Sequence, residues 1–115
     1  MAELNPDLVA MHRSLIALSN TMLEQMNAAA DTGNLVAMDA IHAEMPKVAM
    51  RIGVAGQKLL AARTEAITAA VAEVARAETQ VKAAIARLDR INDFIQSITG
   101  FLGLVDKVLA IALPG

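Results

Sequence analysis

From residue 67 onward, apolar side chains return at every seventh position: Ile67, Val74, Val81, Leu88, Ile95, Leu102 and Leu109. A second set fills the other seam position of each heptad: Ala70, Ala77, Ala84, Ile91, Ile98, Val105 and Ala112. Polar residues such as Glu73, Asn92, Asp93, Thr99 and Asp106 lie off this seam. Two apolar positions per heptad over such a length specify a helix that buries its stripe against other helices.

The first half of the chain carries a looser pattern. Leu8, Met11, Leu15, Leu18, Met22 and Ala29 follow 3–4 spacing and predict a first helix. Asn5 is a suitable cap, and Pro6 fits the first helical position, where its missing N–H would be unpaired anyway. Asp7 favours the positive end of the helix dipole. The run Asp31-Thr32-Gly33-Asn34 ends this helix: Gly33 can take the left-handed stop and Asn34 can cap the next helix. So short a connection predicts an antiparallel hairpin. The second helix reads Met38, Ile41, Met45, Val48, Ile52, Ala55, Leu59 and Ala62. Pro46 interrupts it, but the stripe stays in phase on both sides, so the proline predicts a kink rather than a loop.

The early seam passes through Leu59 and Ala66, the later one through Leu60 and Ile67. That slip of one residue is a rotation of ~100°. Either one helix runs from Asn34 to Thr99 and meets a second partner, or the chain turns at Ala62-Arg63-Thr64 with Thr64 as a cap. The unbroken helix would span roughly 100 Å against roughly 40 Å for the first helix. The expected fold is therefore all-α: an antiparallel helical hairpin plus a long C-terminal heptad-patterned helix, as a three-helix bundle or an extended coiled-coil assembly. Its segments, in one domain, are 1–33 (first helix and turn), 34–63 (second helix with a kink at Pro46), 64–99 (third helix) and 100–115 (apolar C-terminal helix). In either arrangement the third helix overhangs its neighbours. The overhang predicts a homo-oligomer, with Phe94, Ile95, Ile98, Phe101, Leu102, Val105 and Leu109 as an apolar interface.

Composition agrees with an all-α fold. Hydrophobic residues make up 56% of the chain, which argues against disorder, and much of the surplus is alanine, the strongest helix former. The only aromatic residues are Phe94 and Phe101, whereas sheet cores draw on aromatic and β-branched side chains. A formal charge of −2 gives no general attraction for nucleic acid. Without cysteine there is neither disulfide nor thiolate chemistry. The N-terminal region has Glu3 and Asp7 and no basic stretch before an apolar run, so a cytoplasmic protein is expected, with non-classical export left open and peripheral membrane association as the alternative. That alternative rests on segment 91–113. Its uncharged run of twelve residues from Phe94 to Val105 is short for a bilayer needing ~20, but its broad apolar face suits an interface or a partner groove.

Candidate chemistry is sparse. His12 and His42 fall roughly 11 residues apart along a hairpin that turns at 31–34, about 16 Å, and no metal-ligand spacing includes them. Asp89 and Asp93 share a face one turn apart, beside Arg90, without a third group to complete an acid–base site. Glu78 and Lys82 form an i,i+4 pair typical of a solvated helix. Gly53 and Gly56 lack the lysine and preceding strand of a phosphate loop. Lys47, Arg51 and Lys58 project within ~40° of one another and could contact an anion. Met11, Met22, Met38 and Met45 sit at seam positions, where thioethers fill a core. These features predict no catalytic, cofactor or metal site. The expected function is a non-enzymatic interaction or assembly module, of accessory, inhibitor or immunity type, that binds itself and a protein partner. The alternative is a surface-active protein of pore-forming or granule-coating type.

Overall fold

The computed structural model describes residues 3–112, all-α and arranged as a helical bundle. Helix α1 spans Pro6–Asp31, α2 Leu35–Gly56, α3 Glu65–Ile85 and α4 Ile91–Ile111, with a 3₁₀ turn at Leu88–Arg90 before α4. The end of the expected 91–113 and 100–115 segments, residues 113–115, lies outside the described residues.

Helix starts follow the local chemistry. The Asn5 Oδ1 accepts from the backbone N–H of Asp7 at 3.0 Å and of Leu8 at 3.2 Å, with Pro6 opening the helix. Gly33 has φ +75°, the left-handed stop, and Asn34 Oδ1 accepts from Ala37 N at 3.1 Å. Helix α2 runs through Pro46 without interruption. Both Pro46 and His42, whose carbonyl loses its helical donor there, lie on an exposed face where solvent can replace the bond.

At the phase slip, the chain turns. Residues 57–64 leave the helix, and Thr64 Oγ1 caps α3 by accepting from Ile67 N at 3.2 Å. A second turn was not signalled. The expected 64–99 helix is divided at Ala86–Arg90, and α4 then runs unbroken through the expected boundary at residue 100. Two donors from the first hairpin compensate the carbonyls near this break: Gln25 Nε2 donates to Ile85 O at 2.8 Å, and Asn34 Nδ2 to Leu88 O at 3.2 Å. Distant side chains thus satisfy the end of α3, and residues 86–90 include neither glycine nor proline.

Thr68 Oγ1 donates to Asp7 Oδ2 at 2.6 Å at one end of the bundle, and the Gln25–Ile85 bond lies at the other, so α1 and α3 run parallel. Likewise α2 and α4 run parallel, joined by Asn34–Leu88 near their starts and by Arg51–Asp106 and Lys58–Ala112 towards their ends. The hairpins α1–α2 and α3–α4 stack side by side, and α1/α4 and α2/α3 lie across the diagonals. Residues 57–64 therefore cross one end of the bundle. Asn5 holds them: its N–H donates to Leu59 O at 2.7 Å, and its Nδ2 to Ala61 O and Ala62 O, each at 3.3 Å. One apolar cluster draws on all four helices, with Phe94 and Phe101 its largest fully buried side chains. The bundle is a rod of 51 × 20 × 16 Å.

Candidate functional site

The buried stripe of α2 is Ala37, Ile41, Glu44, Val48 and Ala55, with Arg51 half-buried on the same line. Two charged residues thus occupy core-facing positions. Opposite them α4 presents Thr99, Leu102, Gly103 and Asp106, and the two helices enclose a cleft of about 330 Å³ lined also by Lys47.

The cleft is organised by charge. Arg51 grips Asp106 with both arms of its guanidinium, Nε to Oδ1 and Nη2 to Oδ2, each at 2.8 Å; Nη1 donates to Lys47 O at 2.8 Å. The Glu44 side chain is only 9% exposed, and its Oε1 accepts from Lys47 Nζ at 3.2 Å. Its Oε2 is buried without a partner. A buried acceptor left unpaired costs about 1–3 kcal/mol, more when charged. Thr99 directs its hydroxyl proton to Ile95 O at 2.8 Å, and a Cβ added at Gly103 would meet nothing within 4 Å. The larger depression, about 460 Å³ beside Arg63, Thr64, Glu65 and Thr68, is a solvent-open trough at the start of α3. Among the described residues no group of His, Asp and Glu could hold a metal ion.

The expected apolar interface is internal. Phe94, Ile98, Phe101, Leu102, Val105 and Leu109 are buried in the chain's own core, and Ile95 is half-buried against it. The break at 86–90 is the reason: it folds α4 back along α3 and α2, leaving no overhang. The expected anion stripe is likewise engaged within the chain. Lys47 pairs with Glu44, Arg51 with Asp106, and Lys58 Nζ donates to Ala112 O at 2.9 Å.

The remaining candidates fall apart spatially or into the core. His12 is half-buried with its ring against Gly56, while His42 is exposed. Asp89 and Asp93 are both exposed, and Glu78 pairs with Lys82 at 2.9 Å. Met11 and Met22 are buried, Met38 and Met45 half-buried. Glu44 was missed as a buried residue, yet its spacing carried the signal: three positions after Ile41 and four before Val48. Arg51 repeats that relation between Val48 and Ala55.

With its 3₁₀ turn, Leu88–Ile111 is a 24-residue helical stretch long and apolar enough to cross a membrane, although 39% of its most apolar window is buried in the bundle. Comparison with known protein families, characterised proteins and solved structures found no match to this chain.

Proposed function

We propose that this chain is a non-enzymatic helical module that self-associates and binds a protein partner. One observation carries the reading: α2 has a second stripe beside its buried one. Val36, Ala40, Ala43, Lys47, Met50 and Val54 follow 4-3-4-3-4 spacing, with Val36 72% and Met50 60% exposed. Ala40 and Val54 are half-buried, Val54 against the core, and the rest of this mainly apolar seam is exposed at helix-packing spacing, which suits docking of another helix. The neighbouring cleft favours binding over chemistry, because its charged groups are engaged in pairs, Arg51 with Asp106 and Lys47 with Glu44. Sedimentation equilibrium on the intact chain tests self-association. A mass above one protomer that falls on dilution is expected, and a strictly monomeric chain over a wide concentration range would overturn it.

The membrane-spanning length of α4 favours a second reading, a surface-active protein that releases α4 to lipid. Asp106 and Lys107 oppose insertion, since each central charge costs about 2.5–3.5 kcal/mol on insertion scales. Co-sedimentation of the full chain with anionic vesicles separates the two readings. Recovery in the supernatant rejects the lipid reading and leaves the assembly module.

A further inference from the structure

Resting on the self-association reading, we propose that α2 is the contact surface, and that it pairs antiparallel with α2 of a second copy about a two-fold axis.

The stripe, exposed except at the half-buried Ala40 and Val54, is self-complementary. Its six positions stay within ~80° on the helical projection. They are also symmetric about residue 45: in an antiparallel pairing centred there, Val36 faces Val54 of the partner subunit and Ala40 faces Met50 of the partner subunit. Ala43 then faces Lys47 of the partner subunit. Alanine stands opposite a long side chain at both inner levels, which lets the helices approach while the long chains fill the space over the alanines. Each contact is repeated by symmetry, as a closed two-fold interface requires. On the α4 side of the groove, Gly103 presents no side chain and leaves room for the second helix.

Charge gives the pairing its register. The partner's Lys47, carried over Ala43, arrives beside Glu44, which is the next residue on α2. Within one copy Glu44 has a single 3.2 Å bond, to a lysine side chain that is 56% exposed, and one oxygen without a donor. Lys47 of the same chain already neutralises this carboxylate and Oε2 is buried, so a second ammonium across the axis adds a donor at the 9%-exposed edge that borders the cleft. The exchange is reciprocal, so both copies gain it. A shift by one heptad would move both lysines away from both carboxylates.

The absence of cysteine makes the geometry directly testable. Chains carrying Ala40→Cys and Met50→Cys, mixed under mild oxidation, should form a covalent heterodimer, because facing positions lie within disulfide reach. Ala40→Cys alone should cross-link poorly, since the two copies of residue 40 are about 15 Å apart along the axis. Separately, Met50→Asp should keep the parent's helical content, and its melting temperature at concentrations where both are monomeric, while weakening the dimer at least about tenfold, with two charges placed in the interface. A Met50→Asp chain as dimeric as the parent would overturn the α2 surface and leave self-association standing. So would cross-linking of the Ala40→Cys and Met50→Cys mixture no greater than that of a Thr79→Cys control on α3. A monomeric parent chain overturns both readings.

Discussion

Asn5 acts on two parts of the chain at once. Its oxygen caps α1 through Asp7 N and Leu8 N, and its amide nitrogen holds the crossing segment at Ala61 O and Ala62 O. The first role was legible, because Asn-Pro-Asp before an apolar-periodic run is a start signal. The second was not, since its partners lie 56 and 57 residues away. Asn5→Ala should lower the unfolding free energy by about 2 kcal/mol, about half from the cap and the rest from carbonyls left without a donor. Asn5→Asp keeps the acceptor and loses the donor, and should fall between the two in urea midpoint. Equal stability of Asn5→Asp and the parent would mean that the crossing segment does not depend on the side-chain amide of Asn5. Glu44 presents the opposite case. Breaking a buried pair is costly, but replacing a poorly satisfied charge by an apolar side chain of similar length is often neutral or favourable. Glu44→Met at concentrations where the chain is monomeric should change stability by between zero and about +1 kcal/mol. A large loss would show that the carboxylate is better satisfied than its single bond implies.

At the scale of helices, what could be read locally was read, and what depended on distant donors was not. Gly33-Asn34 ends one helix and begins another through their own backbone and side-chain chemistry. Thr64 does the same after the phase slip, where the change of buried face was equally compatible with a continuous helix meeting a second partner and with a turn. The division at Ala86–Arg90 left no such trace. It contains neither glycine nor proline, and the heptad continues in phase through Val81, Leu88 and Ile95 because α3 and α4 face the same core. Tertiary contacts override the helix propensity of Ala86 there. The two classes of glycine should respond oppositely to alanine. Gly33→Ala places a Cβ at φ +75° and should cost about 1–2 kcal/mol. Gly53→Ala lies inside α2 with nothing within 4 Å of the new Cβ, and should stabilise by up to about 1 kcal/mol. Thermal melts of the two variants should move in opposite directions, and a shared direction would reject the left-handed stop at Gly33.

Across the whole molecule, the all-α fold followed from alanine content and periodicity, whereas the position of the C-terminal segment did not. An unbroken helix must overhang a shorter hairpin. A broken one can return, and its apolar stripe then closes the bundle instead of seeking another chain. The same stripe therefore reads as an interface or as a core, depending on a turn that local sequence does not mark. The closed arrangement makes a claim about cooperativity. Phe101 is fully buried in a cluster to which all four helices contribute, so the two hairpins share one core rather than each having its own. Phe101→Ala should cost about 3–5 kcal/mol, a large part of the roughly 5–15 kcal/mol that stabilises a domain of this size. Because the core is shared, that loss should reach α1 as well as α4. Residue-resolved urea unfolding by NMR should give the same lowered midpoint for Leu15 and for Val105. A midpoint for Leu15 that stays at the parent value while that of Val105 falls would mean that the hairpins unfold independently, and that α4 can leave α1–α2 without melting it.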